Sequence, residues 1–252
     1  MSRSGSRHAV AAVTALLALL ALLAACAGAA PDATLTAPAA PTTAVVQDLP
    51  VTTPPPATPP PPTTPAFAAT VSAVTAAELG ASWRPGCPVG PGELRRVTLA
   101  HWGFDGQPAA GSLVVNASAA QAMVNVFRRL FDERFPIRGM ATIDAYGGDD
   151  DASMAADNTS AFNCRNAVAT GPPRWSAHAY GLAIDVNPVE NPYLLAGQVL
   201  PPAGREYVDR SRPRPGMAVA GGVLTEAFAA EGWQWGGRWS NPDYQHFSST
   251  GG

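Results

Sequence analysis

Residues 54–65 read Pro-Pro-Pro-Ala-Thr-Pro-Pro-Pro-Pro-Thr-Thr-Pro, and no packed element can be built on such a run. Proline fixes φ and lacks a backbone N–H, so the segment neither winds into a helix nor joins a sheet ladder. It is expected as extended polyproline-like chain, rising about 3.1 Å per residue. The flanking sequence is of one kind with it. From residue 27 to about 75 the chain is rich in Ala, Thr and Pro, and its only charges are Asp32 and Asp48. The chain is therefore expected to divide into a disordered linker at 26–75 and one folded domain at 76–252. The linker reads either as a stalk reaching on the order of 100 Å or as low-complexity sequence with no required length.

Ahead of the linker, residues 1–25 carry Arg3, Arg7 and His8 and then an uncharged Leu/Ala-rich run over 9–25. A basic start followed by a short apolar run fits an export signal better than a membrane span, which needs about 20 apolar residues. Its ending, Leu23-Ala24-Ala25-Cys26, resembles the bacterial lipobox. That resemblance implies an exported protein anchored to the outer face of the cell membrane by lipid on Cys26. An ordinary secretory signal and an uncleaved anchor are the alternatives. Of three cysteines, Cys87 and Cys164 then remain. An even pair in a disulfide-permissive compartment is more readily bridged than free. The bridge would clamp the N-terminal edge of the domain to the segment before the histidine motif.

Composition removes several chemistries. All 16 basic residues are arginine, so Schiff-base lysines, P-loops and Ser-x-x-Lys acyl-enzymes are excluded. A formal charge of −3 gives no footprint for nucleic acid. There is no Gly-x-Ser-x-Gly, no His-Glu-x-x-His and no Cys-x-x-Cys.

Within 76–252 the patterning predicts strands at 97–102 and 112–116 around the turn Phe104-Asp105-Gly106. A helix should open on Ser118, with Gln121 completing a capping box. Met123, Val126, Phe127, Leu130 and Phe131 fall on one helical face, and the helix should stop before Pro136. Residues 140–146 read as a strand and 147–166 as polar loop. Residues 181–187 alternate, with Leu182, Ile184 and Val186 on the core face and Ala183, Asp185 and Asn187 opposite. Thr225 is expected to cap a helix through Glu231, and 233–235 and 245–247 read as short strands. Few long helices and several short strands give an α+β class: a small antiparallel sheet with flanking helices.

Three histidines lie in this region: His101, His178 and His246. His178 sits in Ser176-Ala177-His178-Ala179-Tyr180-Gly181-Leu182-Ala183-Ile184-Asp185. Gly181 permits a tight bend, so His178 and Asp185 can converge. A strand carboxylate kept from water is costly unless paired or metal-bound. With His246 these make two imidazoles and a carboxylate, an open three-ligand zinc site with a fourth position for water. Asp243, three residues before His246, is a spare carboxylate that could serve as base. Taken singly, each of these residues also has an ordinary structural role open to it. His101 lacks a partner motif and reads as structural. Trp233, Trp235 and Trp239 read as core and cleft wall. The run Asp149-Asp150-Asp151 with Asp157 lacks the ligand spacing of a calcium loop and reads as a solvated rim.

The combination resembles the zinc D-alanyl-D-alanine carboxypeptidase family, which includes L-alanyl-D-glutamate endopeptidases. Ser176, His178, Gly181, Ala183 and Asp185 match its Ser-x-His-x-x-Gly-x-Ala-x-Asp pattern. Trp235, Gly236, Gly237, Trp239, Asp243 and His246 match its later Trp-Gly-Gly-x-Trp and Asp-x-x-His segment. The resemblance implies zinc on His178, Asp185 and His246, with Asp243 as general base. Arg165, in Ser160-Ala161-Phe162-Asn163-Cys164-Arg165, would stabilise the oxyanion or grip a substrate carbonyl. Ser160 and Ser176 would help bind substrate. Carboxypeptidase members often carry Glu at the base position; Asp after Trp-Gly-Gly looks more like the endopeptidase branch. The implied fold is the small α+β fold shared with the signalling domain of hedgehog proteins. The implied function is zinc-dependent hydrolysis of peptidoglycan stem peptides by a monomer. A wall-binding module that keeps the metal but turns nothing over is the alternative, for which Asp243 would be superfluous. A serine hydrolase built on Ser176 and His178 is the weakest reading, since no oxyanion loop is evident.

Overall fold

The computed structural model describes residues 65–168 and 172–251. The expected export signal, Cys26 and nearly all of the proline-rich linker lie outside the described residues.

The folded part starts earlier than its composition indicates. Strand β1 (Ala69–Ala73) lies inside the segment expected to be disordered linker, and pairs antiparallel with β2 (Leu94–Trp102) from Ala69↔Leu99 to Ala73↔Arg95. A single turn, α1 (Ala76–Leu79), follows on a capping box. The Thr75 N–H donates to Glu78 Oε2 at 2.8 Å, and the Glu78 N–H to Thr75 Oγ1 at 3.3 Å. The hairpin of β2 with β3 (Pro108–Asn116) is longer than expected, running in register from Leu94↔Asn116 to Trp102↔Pro108.

Helix α2 (Ala120–Asp132) lies against β2 and buries Met123, Val126, Phe127, Leu130 and Phe131, the expected face. Full burial of each such side chain contributes about 1.5–3 kcal/mol. Its start differs from the expectation. Asn116 Oδ1 accepts from the Ser118 N–H at 3.1 Å and opens a 3-10 turn, Ala117–Ala119, that leads into the helix. Gln121 instead bonds Asn125 on the solvent side.

The segment 140–146 is not a strand. Only β4 (Gly139–Met140) is extended, followed by a 3-10 turn, Ile143–Tyr146. The expected polar loop contains a short helix, α3 (Asp150–Ala155), capped by Asp149, whose carboxylate accepts from the Ala152 N–H. Strand β5 (Asn158–Thr159) then pairs parallel with β4.

The site rests on a second three-stranded sheet. Its strands are β6 (Ala183–Asp185), β9 (Gln234–Trp235) and β10 (His246–Ser248), in the order β6-β10-β9 and antiparallel. Between β6 and β9 come the hairpin β7 (Tyr193–Leu195) and β8 (Gln198–Leu200) and the helix α4 (Val223–Ala230). Helix α4 starts on Gly222 rather than Thr225. The Thr225 hydroxyl, one turn inside, donates back to the carbonyls of Val219 and Gly222. Phe228 of α4 stacks on Phe247 of β10 at 4.2 Å between ring centroids, which joins helix and sheet in the main core. A second, smaller core gathers Leu79, Leu94, Phe162 and Cys164. The expected Cys87–Cys164 disulfide crosses it, linking positions 77 apart. The architecture is mixed helix and strand with small antiparallel sheets, in keeping with an α+β class.

Candidate metal centre and its cleft

His178 comes from a 3-10 turn, Ala177–Tyr180, that Ser176 caps by accepting the His178 N–H at 3.3 Å. Gly181 closes the turn with φ +68°. It is pressed against the first sheet: the Asn116 N–H donates to its carbonyl at 2.8 Å, and a Cβ here would stand 2.4 Å from Asn116 N. Only glycine meets both demands. The pattern Ser-x-His-x-x-Gly is thus a capped turn with a left-handed exit, and it delivers the chain into β6.

Asp185 ends β6 and is held on both sides. It is the register partner of His246 on β10. On its other flank it exchanges two backbone hydrogen bonds with Ser160, at 2.9 and 3.0 Å. Asp185, His178 and His246 are all buried, and one ligand atom from each lies within 4.8 Å of the others. His178 Nε2 is 3.3 Å from Asp185 Oδ2, His246 Nδ1 is 3.1 Å from Asp185 Oδ1, and the two nitrogens are 3.2 Å apart.

The hydrogen bonding around His178 says what this cluster is suited to hold. Its Nδ1 is 2.6 Å from the carbonyl of Ala161. That acceptor fixes the ring proton on Nδ1, so in the neutral ring the Nε2 lone pair faces a carboxylate. The Nε2 lone pair of His178, Nδ1 of His246 and the Asp185 carboxylate converge on one point, where a positive charge is favourable. A proton can supply it. Burial opposes the imidazolium of His178, but the charge and hydrogen bond of Asp185 outweigh burial and raise the pKa. Burial likewise opposes ionisation of Asp185, yet the imidazoles of His178 and His246 hold its pKa well below the usual carboxylate range. A divalent cation supplies the charge better, because all three donors face it at once. Two imidazole nitrogens and one carboxylate with no thiolate are a donor set that suits zinc.

Asp243 stands beside this group on a loop shaped by the tryptophan-glycine segment. The Gly236 carbonyl accepts from both the Trp239 and Asp243 N–H groups at 3.0 Å. A Cβ on Gly236 would lie 2.8 Å from the Asp243 carbonyl oxygen, and one on Gly237 would lie 2.3 Å from the Trp235 indole. Trp235 Nε1 donates to the Tyr244 carbonyl at 2.8 Å and braces the far side of the loop. Asp243 is buried, and its Oδ1 has no partner among the described residues. Burial first, and the charge of Asp185 second, push its pKa up to about 7. His246 Nε2 also lacks a partner among the described residues.

These side chains line one cleft of about 820 Å³. His178, Asp185, His246, Asp243, Arg165 and Ser176 all face it, with Trp175 and Trp239 as walls and Tyr193 of the β7–β8 hairpin. Arg165 is ion-paired with Asp150. Ser160 does not line the cleft, contrary to its expected place beside substrate; its contribution is the backbone bridge that holds Asp185. His101, read in sequence as structural, is buried outside the lining with Nδ1 3.4 Å from the Trp102 carbonyl. Trp233 is in the core and Trp239 in the cleft wall. Asp157, grouped with the acidic rim in sequence, is buried and paired with Arg138 instead. Three features were missed from sequence: the Ala161 carbonyl behind His178, Tyr193 opposite Asp243, and the Asp150–Arg165 pair. A backbone acceptor carries no side-chain signature, and the other two depend on pairings formed only in the fold.

Neither a curated protein nor a solved structure matches the chain. Residues 170–249, which contain His178, Asp185, Asp243 and His246, match the family model described as D-alanyl-D-alanine carboxypeptidase. The segment that carries the entire His-Asp-His cluster is thus similar to the D-alanyl-D-alanine carboxypeptidase family.

Proposed function

We propose that the protein is a zinc-dependent peptidase that hydrolyses bonds in peptidoglycan stem peptides. We further propose that it works at the cell envelope as a monomer tethered through lipid on Cys26, its catalytic domain having the small hedgehog-like fold of the D-alanyl-D-alanine carboxypeptidases. One observation carries the reading: a buried His178–Asp185–His246 cluster suited to a cation shares a cleft with a buried carboxylate, Asp243, whose Oδ1 has no partner among the described residues. When bound there, zinc polarises a substrate carbonyl and acidifies water.

The chain supplies the rest. Asp243 takes the proton of the attacking water and returns it to the leaving amine, a task suited to a group whose pKa lies near neutrality. Arg165 offsets the negative charge that develops on the carbonyl oxygen. Trp175 and Trp239 wall the cleft. A protein that only bound the wall would have no use for a buried acid with a free oxygen at this position.

The test is digestion of purified stem peptides by the zinc-loaded protein, with products identified by mass, beside a chelated sample and Asp243→Ala. Terminal D-Ala release identifies a carboxypeptidase, and an internal cut an endopeptidase. Cleavage that survives both chelation and Asp243→Ala would overturn the mechanism. Binding of the peptides without any cleavage would favour the inactive wall-binding module.

A further inference from the structure

The acidic run 149–151 reads in sequence as a solvated rim, but its middle residue is built into the site. Asp150 opens α3, one residue after the Asp149 cap. Its two carboxylate oxygens have separate partners: Oδ1 accepts from Asn163 Nδ2 at 2.9 Å, and Oδ2 pairs with Arg165 Nε. Asn163 is itself fixed. Its Nδ2 also donates to the Gly148 carbonyl at 3.2 Å, its N–H donates to the His178 carbonyl at 3.2 Å, and its carbonyl accepts the Arg165 N–H at 2.9 Å. Asp150 is thus locked to the strip of chain that holds both His178 and Arg165.

Arg165 needs that lock. Its long side chain is about a quarter exposed, and unrestrained it would sample many rotamers. Asp150 Oδ2 is in ion-pair contact with Nε, which makes no directed hydrogen bond among the described residues, and the Asn166 carbonyl accepts from Nη1 at 3.2 Å. Nη2 has no partner among the described residues and is available to the cleft that Arg165 and Asp150 both line. The charge of Arg165 is felt at His178 and at Asp243, and that of Asp150 at His178, so the pair stands within electrostatic reach of the chemistry.

We propose that Asp150 is the positioning residue for Arg165: it holds the guanidinium by one edge so that the free edge faces the reacting carbonyl. This rests on the peptidase reading for its consequence in catalysis, and on geometry alone for the hold itself. A guanidinium displaced by about 1 Å forfeits much of its effect on the transition state.

Two measurements on the full chain test it. The first needs no turnover: solvent exchange of the arginine Nε–H proton by NMR, with the Arg165 signal identified by its loss in Arg165→Lys. It is expected to exchange at least about tenfold more slowly than an exposed arginine such as Arg212, which is 88% exposed. Asp150→Asn abolishes that protection and Asp150→Glu restores part of it. The second is kinetic. Asp150→Asn lowers kcat about tenfold or more with KM little changed, Asp150→Glu recovers part of the loss, and Asp150→Asn costs nothing further in an Arg165→Ala background. Unchanged Arg165 exchange in Asp150→Asn overturns the proposal. So does an equal loss of kcat with and without Arg165, since Asp150 would then act by another route. If the zinc-loaded wild type cleaves no stem peptide, the peptidase reading fails, and the exchange measurement alone decides whether Asp150 holds Arg165.

Discussion

Asp185 and His246 oppose each other across β6 and β10 as backbone register partners, and their side chains meet 3.1 Å apart on the cleft side of the sheet. Two ligands of the candidate centre are therefore fixed by sheet register, and only His178 is delivered by a turn. A change of charge at Asp185 can be made without changing shape. Asp185→Asn keeps the backbone pairing but removes the negative charge between two imidazoles. Zinc affinity is expected to fall by at least about a hundredfold, measured by competition with a chromophoric chelator. In the metal-free protein the His178 pKa should fall in the same variant, because Asp185 is what raises it against burial. Wild-type affinity in Asp185→Asn would show that the cluster is not the metal centre.

Asp243 lies outside the set of ligands, and its removal should separate binding from turnover. Asp243→Asn is expected to bind zinc as the wild type does while kcat falls about 10²- to 10⁴-fold and KM changes little. Zinc titration and steady-state kinetics on one preparation give both numbers. A joint loss of zinc and activity would make Asp243 a ligand or a fold determinant instead.

Gly181 couples the histidine turn to the first sheet. Gly181→Ala places a Cβ 2.4 Å from a backbone nitrogen that cannot swing away, at a φ of +68°. The two penalties together are expected to cost more than about 2 kcal/mol of stability. They also displace His178, so zinc affinity should drop with the denaturation midpoint. A variant as stable as wild type would mean that β3 and the turn can part without cost.

What could be read in the sequence was whatever is encoded locally. The turn around His178, the alternation that puts Asp185 opposite the core, and the helical face of Met123 to Phe131 each follow from spacing within a few residues. The family pattern then tied two such segments together. What could not be read depends on partners distant in the chain. Ala69–Ala73 has the composition of the linker that precedes it, and becomes a strand only because β2 offers an edge. Ser118 satisfies the local rule for a cap, but Asn116 is placed to cap first because β3 ends there. Asp150 and Asp157 look alike in an acidic stretch. One finds Arg165 at the cleft, the other the exposed Arg138 away from it, and only the packing of α3 and β5 separates them.

The pair with Arg138 leads to a prediction about pH. Arg138 sits between two carboxylates, with Nε 3.3 Å from Asp157 Oδ2 and Nη2 3.0 Å from Glu190 Oε1. Asp157 is further satisfied by the Val189 N–H at 2.8 Å, whereas Glu190 Oε2 has no partner among the described residues. Glu190 is 1% exposed. Burial, then the hydrogen bond and charge of Asp157, push its pKa up to about 7, with Arg138 opposing. One guanidinium cannot neutralise two buried carboxylates, so the fold favours protonated Glu190. The folded pKa is raised, so this contribution to stability is fully present below the unfolded value near 4.5 and is lost as pH rises through about 7. The loss is on the order of 3 kcal/mol between those limits. Glu190→Gln mimics the protonated form at every pH. The variant is expected to match wild-type stability near pH 4.5, to exceed it above pH 7, and to show a flatter dependence between them. Urea midpoints measured across this range on the metal-free protein check it. Equal slopes for the two proteins would place the pH-sensitive group elsewhere.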